Sequence, residues 1–205
     1  MPERDAAEHE GLDIATSELI TGGQKSGKSA RAESLARHWL ALSPHHRAVL
    51  LATARADDAE MAQRIAHHRA DRERDCPALQ SVEEPLQLAQ AIAQHSDPDT
   101  LVLVDCLTLW LTNRLWPGDA QPPDSGCAAV RAAAPAALTE LGQAIALARG
   151  PLVLVSNEIG QGVIPLGPEV RAFVDALGQV NQAAARSCAR VTWMVAGLPV
   201  RIKGT

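Results

Sequence analysis

The chain has 205 residues, 46% hydrophobic and 2% aromatic, with 24 acidic side chains against 19 Lys and Arg and a formal net charge of -5. That length suits one α/β domain with a sizeable core. The acidic balance, with no Lys/Arg-rich run, excludes a surface that coats nucleic acid.

Residues 1–17 read as a flexible polar leader, acidic rather than basic then apolar, and no run reaches the uncharged length of a bilayer span, so a cytoplasmic chain with no membrane span is expected. A short apolar strand, Glu18 to Thr21, comes next. It runs into Gly22-Gly23-Gln24-Lys25-Ser26-Gly27-Lys28-Ser29, two glycines with four residues between them, followed by Lys and Ser. The Ala-, Leu-, Arg- and Glu-rich stretch behind it predicts a helix over 28–41. Strand, loop and helix are the context in which this pattern binds a nucleoside triphosphate. Backbone N–H groups face phosphate oxygens at the helix's positive end, Lys28 reaches the terminal phosphates, and the Ser29 hydroxyl is offered to Mg²⁺.

A second strand is expected over Ala48 to Thr53 and a helix over 57–70 from an Asp N-cap. On that helix Met61 and Ile65 mark the buried stripe, which His68 joins, while His67 falls on the solvent side. A neutral imidazole near a nucleotide can attack an α-phosphate and carry the nucleotidyl group, with Arg64, Arg69 and Arg72 neutralising the charge that develops. The same residues also fit a solvated face with two ordinary histidines. After a helix over 85–95, Asp105 closes the strand Leu101 to Asp105. An acidic residue there holds Mg²⁺ in nucleotide sites, or caps the helix expected over 107–116. On that helix Leu107, Trp110, Leu111, Leu115 and Trp116 are apolar around more than one face, as core or as a subunit contact.

Pro117 to Ala137 reads as a loop insertion with a weak helix at its end, leading into a helix over 127–148. The strand Leu152 to Ser156 opens into an irregular Gly/Pro loop through Pro165, where Asn157 and Glu158 either face the catalytic edge or simply make turns. A helix over 167–188 and strands over Val191 to Ala196 and Val200 to Lys203 finish the chain. Continuous apolar strands are buried on both faces. They predict one P-loop NTPase-like, doubly wound α/β domain over 18–205, with a mostly parallel central sheet and ligands at the strands' C-terminal ends. Four cysteines, Cys76, Cys106, Cys127 and Cys188, form no C-x-x-C pair, so neither a zinc site nor a disulfide framework is expected.

Several stretches together resemble one family. They are Thr21 to Ser29, Arg64-Ile65-Ala66-His67-His68-Arg69, Val104-Asp105-Cys106-Leu107-Thr108-Leu109-Trp110-Leu111-Thr112-Asn113, Ser156 to Pro165, Arg171 to Gln182, and Val195-Ala196-Gly197-Leu198-Pro199. The family is the bifunctional adenosylcobinamide kinase / adenosylcobinamide-phosphate guanylyltransferase of cobalamin biosynthesis. The resemblance implies a homotrimer that phosphorylates the aminopropanol hydroxyl of adenosylcobinamide with ATP or GTP. It then transfers GMP from GTP to adenosylcobinamide phosphate, giving adenosylcobinamide-GDP. By similarity the guanylylated residue is His67. The implied nucleotide contacts are the phosphate loop from Gly22 to Ser29, then Ala52-Thr53-Ala54, Arg69-Ala70-Asp71-Arg72, Glu83 or its neighbour Glu84, and Asp105. Between Arg72 and Glu83 the chain departs from the family pattern by two extra residues. Two other readings stay open on the residues alone. One is a P-loop kinase of another small hydroxyl substrate with no covalent step. The other is a nucleotide-dependent switch, which lacks an Asn-Lys-x-Asp guanine reader here and whose Asp175-Ala176-Leu177-Gly178 falls in a predicted helix.

Overall fold

A computed structural model describes residues 13–116, 126–162 and 164–204, with side chains described from 135 onward in the helix that begins at Gly126. Seven strands, β1 (Ser17–Gly22), β2 (Arg47–Ala52), β3 (Leu79–Glu83), β4 (Thr100–Asp105), β5 (Leu152–Val155), β6 (Arg190–Val195) and β7 (Leu198–Lys203), form one sheet in the order β3-β2-β4-β5-β1-β6-β7. Every neighbouring pair is parallel except β6 with β7. The six helices are α1 (Lys28–Leu42), α2 (Ala59–Asp75), α3 (Leu88–His95), α4 (Leu107–Leu115), α5 (Gly126–Leu147) and α6 (Pro168–Ser187).

The strands β4 and β5 are apolar on both faces because both are covered, and β1 between covered faces buries Leu19 and Ile20 together with Glu18 and Thr21. On one face, Leu19, Val104 and Leu154 pack with Leu88 and Ile92 of α3, Trp110 and Leu111 of α4, Leu141 of α5, and Leu177 and Val180 of α6. On the other, Ile20, Leu50, Leu103 and Val153 pack under Ala32, Leu35 and Ala36 of α1. The expected mostly parallel α/β sheet is thus observed, and Leu107, Trp110, Leu111 and Leu115 belong to its core.

Several boundaries differ from expectation, among them the end of α2 at Asp75 rather than 70 and the start of α3 at Leu88 rather than 85. The leader expected to residue 17 lies outside the described residues up to 12, but Asp13 is already tied down by Arg190 of β6 and Ser17 opens β1. Strand β3 was not expected at all. Of the loop insertion expected over 117–137, residues 117–125 lie outside the described residues, and from Gly126 onward the chain is α5, with Pro135 inside it. The final strand starts at Leu198, two residues early, because Ala196 and Gly197, both at positive φ, turn it straight back onto β6.

Candidate functional site

The phosphate loop leaves the C-terminal end of β1 at Gly22, where φ is +151° and a Cβ would sit 2.5 Å from the carbonyl oxygen of Met194. Only glycine fits that approach. Gly27, at φ +97°, turns the chain into α1. The turn between β6 and β7 braces the loop from behind, with the Gly197 N–H donating to the Ser26 carbonyl at 3.0 Å. Lys28 is buried, and its ammonium donates to the Gly23 carbonyl across the loop at 2.6 Å. Burial lowers its proton affinity, against which the charges of Cys106 and Asp105 act. Gln24 and Lys25 are exposed at the tip, and Ser29 is half-buried in the first turn of α1.

Asp105 ends β4 two strands from the loop, since β5 lies between β4 and β1. Burial pushes its carboxyl above the usual range, opposed by the positive charges of Arg72, His68 and Lys28. It shares a small gap, too narrow for a water molecule as it stands, with Ser29, with Glu33 one helical turn beyond, and with the apolar Ala32, Leu50, Leu103 and Val155. The three polar side chains of that gap are oxygen donors, the chemistry that suits a hard divalent cation such as Mg²⁺. Burial also raises the Glu33 carboxyl, with Arg72 opposing. Residue-by-residue reading of the sequence passed over Glu33; its i+4 spacing from Ser29 was the available signal.

Thr53 and Ala54, immediately after β2, behave differently from one another. Thr53 has no exposed surface, and all its polar atoms are engaged. Its N–H bonds to the Asp105 carbonyl, and its hydroxyl donates to the Cys106 carbonyl at 2.8 Å and accepts from the Cys106 N–H at 2.9 Å. Its carbonyl accepts from Asn113 of α4 at 2.7 Å. Thr53 therefore fixes the Asp105 backbone, and Ala52 and Ala54, each partly exposed, flank it.

At the end of β5, between Asp105 and the phosphate loop, Ser156 donates to the Asn181 carboxamide at 2.6 Å, and that carboxamide donates to the Asn157 carbonyl at 2.9 Å. The Asn157 N–H donates to Thr108, and the Glu158 N–H donates to the Gly22 carbonyl at 3.0 Å. Asn157 and Glu158 are thus half-buried beside the phosphate loop, as expected of an edge position, clamped by α4 and α6. Asn181 and Thr108 are supporting residues that carry no motif of their own. The stretch Asp175 to Gly178 lies within α6, as expected.

Helix α2 departs most from expectation. It starts at the predicted Asp58 cap, but Arg72 is its one buried residue, and His68, expected to pack, is exposed. The Arg72 charge bears on Asp105 and Glu33 without an ion pair to either, and its Nε has no hydrogen-bond partner among the described residues. His67 is on the solvent side as expected, 3.3 Å from Asp71, which also meets Arg74. Arg69 pairs with Glu73 at 3.2 Å, and Ala70 is exposed beside it. Of the two carboxylates after β3, Glu84 accepts from the N–H groups of Leu86 and Gln87 and is committed to that turn. Glu83 stays exposed at the strand's end.

Cys76, Cys106 and Cys188 are free and buried, and burial pushes the Cys188 thiol up to about 12. The side chain of Cys127 lies outside the described residues. Among the described residues no helix is long and apolar enough to cross a membrane.

The geometry places a phosphate loop, a buried carboxylate and a histidine-bearing helix on one sheet edge, and sequence comparison points the same way. The family described as cobinamide kinase / cobinamide phosphate guanyltransferase matches residues 18–202. The bifunctional adenosylcobalamin biosynthesis protein CobP of Pseudomonas aeruginosa is 46% identical over 189 residues, covering 91% of this chain and 97% of that protein. The bifunctional CobU proteins of Escherichia coli and Salmonella typhimurium are 35% and 34% identical, each over 90% of this chain and 98% of theirs.

Proposed function

The chain belongs to the cobinamide kinase / cobinamide phosphate guanyltransferase family, and we propose that both of its reactions are served by the single nucleotide site built on the β1 phosphate loop. It is a bifunctional enzyme of cobalamin biosynthesis. In the first reaction a nucleoside triphosphate, ATP or GTP, is cradled by residues Gly22 to Ser29, and Lys28 leaves the Gly23 carbonyl for the terminal phosphates. Phosphoryl transfer needs positioning and charge neutralisation more than covalent help. Glu158 lies on the acceptor side, where its carboxylate takes the proton of the aminopropanol hydroxyl of adenosylcobinamide. Ser29 and Asp105 would hold Mg²⁺, which supplies charge neutralisation to the phosphates when bound.

In the second reaction a His67 ring nitrogen bonds to the α-phosphorus of GTP as the bond to pyrophosphate breaks. An oxygen of adenosylcobinamide phosphate then attacks that phosphorus, the P–N bond breaks, and adenosylcobinamide-GDP leaves. Because His67 pairs with Asp71 on the outer side of α2, the helix must turn or shift for its ring to reach the nucleotide. The nucleotide contacts proposed beyond the loop are Ala52 and Ala54, the Arg69 to Arg72 segment, and Glu83. Glu83 is favoured over Glu84 because the Glu84 carboxylate already caps the next turn. Assembly as a homotrimer belongs to the same reading, which the exposed apolar row Leu198, Val200 and Ile202 on the edge strand β7 supports.

The observation that carries the reading is the convergence on one edge of Lys28, the Ser29–Glu33–Asp105 gap and Arg72 from the histidine helix. The test is incubation with GTP labelled at the α-phosphate, in wild type, His67→Ala and His68→Ala. Label stable in alkali, lost in acid and absent only from His67→Ala is expected. Label lost with His68→Ala instead would move the chemistry to the histidine whose charge bears on Asp105. No label, with GTP bound, would leave a kinase without a covalent step.

A further inference from the structure

A corrinoid acceptor must bring its aminopropanol arm to the nucleotide phosphates, and the residues described so far give no place for its macrocycle. The loop that begins at Glu158, hydrogen-bonded to the phosphate loop, continues into the start of α6, where a cavity of about 350 Å³ opens. Its walls include Ile159, Ile164, Pro165, Arg171, Val174 and Asp175. That volume is at the lower end for small-molecule sites, enough for an arm and the adjoining edge of a ring. Ile164 of its wall is 76% exposed, and Leu166 and Val170, each next in sequence to a wall residue, are 97% and 52% exposed. Single exposed aliphatic residues are ordinary, but several gathered on the rim of a cavity mark a binding surface.

The topology puts this cavity in the right place. The start of α6 shares the sheet edge of the phosphate loop, because β5 enters the intervening loop from its C-terminal end. Yet α6 packs on the opposite face of the sheet from α1, with Ala172, Ala176 and Leu177 in one core layer and Ala32 and Leu35 in the other. A nucleotide held from the α1 side and an acceptor held from the α6 side therefore meet end to end at Gly22 and Glu158. Arg171 makes the rim rigid by donating to the carbonyls of Pro165 at 2.9 Å and Leu166 at 2.5 Å. Arg171 and Asp175 together leave the cavity with no net charge but with donors and acceptors. A corrin carries a broad apolar face fringed by neutral amide arms, and an apolar rim around a balanced polar cavity matches that chemistry.

We propose that the acceptor corrinoid binds here, its macrocycle against Ile164, Leu166 and Val170 and its aminopropanol arm running through the cavity to Glu158. The proposal rests on the cobinamide reading above. Leu166 and Ile164 are solvated, so Leu166→Ser and Ile164→Ser leave the fold intact and remove only what a ligand would cover. Each is expected to raise the Kd for adenosylcobinamide, measured by equilibrium dialysis on the corrinoid's visible absorption, and the corrinoid KM of phosphorylation by about tenfold. The nucleotide KM should move less than twofold. Unchanged corrinoid Kd and KM in both variants would overturn the proposal. If the variants instead lower the oligomeric state in sedimentation while both constants hold, the face is a contact between copies and the proposal also falls. Failure of the wild-type enzyme to phosphorylate or guanylylate adenosylcobinamide would refute the functional reading itself, before any variant is compared.

Discussion

Replacing Thr53 by Val tests whether the catalytic edge is built on a buried hydroxyl. Valine matches threonine in shape but not in hydrogen bonding. The Thr53 hydroxyl has no exposure and satisfies both the N–H and the carbonyl of Cys106, the residue after Asp105. Thr53→Val leaves the Cys106 N–H buried and unpaired, at about 1–3 kcal/mol, while the Cys106 carbonyl still accepts from the Trp110 N–H. The expected loss is about 2 kcal/mol, a large share of the roughly 5–15 kcal/mol that holds a domain together. For a chain of this size that lowers Tm by roughly 4–8 °C. Thr53→Ser keeps the hydroxyl and loses one methyl, about 1 kcal/mol, so a fall of roughly 2–4 °C is expected. Thermal melts of the two variants beside wild type make the comparison, with phosphorylation rates measured well below both midpoints. Thr53→Val should also slow phosphorylation, because the Asp105 backbone hangs on the same bonds. Melting of Thr53→Val at or above Thr53→Ser would refute the argument.

Two further outcomes follow from the site's geometry. Burial raises the Asp105 carboxyl above its ordinary 3.8, so above that value the folded state binds more protons than the unfolded one, and stability falls as pH rises through the window. Asp105→Asn removes that term: its Tm relative to wild type should rise from pH 4 upward and level off once the native carboxyl is ionised, while nucleotide turnover drops, and a pH-independent difference would contradict it. Gly22→Ala drives a methyl to 2.5 Å from the Met194 carbonyl and should destabilise the chain by roughly 1–3 kcal/mol. Gly23→Ala meets nothing within 4 Å, so it should melt like wild type and weaken only nucleotide binding; equal melting of the two variants would show that the loop yields.

The parallel core was legible because its signal is dense. β4 and β5 are apolar runs ending in residues that change the chemistry, and β1, whose apolar residues are Leu19 and Ile20, is marked by the phosphate loop that follows it. Strand β3 was not, since Leu79-Gln80-Ser81-Val82-Glu83 offers two apolar residues and lies at the sheet's edge with one partner, β2. Asp105 and Lys28 could be named from spacing, whereas Thr108, Asn113 and Asn181 act by reaching across 49, 60 and 24 residues to backbone atoms of Asn157 and Thr53. No local pattern encodes such a bond. His68 shows the opposite failure. The 3.6-residue period assigned it to a packed stripe, but periodicity presumes that a helix has something to pack on, and α2 stands clear of both core layers.

In the proposed mechanism, that isolation of α2 is what lets one site serve both reactions. A helix anchored by aliphatic residues keeps its place whatever the site contains, because dispersion and burial do not respond to charge. Here the one buried residue is a guanidinium whose charge bears on Asp105 and Glu33 and whose Nε has no partner among the described residues, and the rest of the helix is exposed or half-exposed. Few buried apolar contacts place such a segment at the low-stability end of a structure. Its position is therefore set by electrostatics that a bound triphosphate changes directly. Polyphosphate charge added beside Asp105 strengthens the pull on Arg64, His68, Arg69 and Arg72, which all lie on α2. A ligand shifts an equilibrium only through unequal interaction with its two states, and on this helix the residues that would supply the inequality flank His67, the histidine proposed to carry GMP.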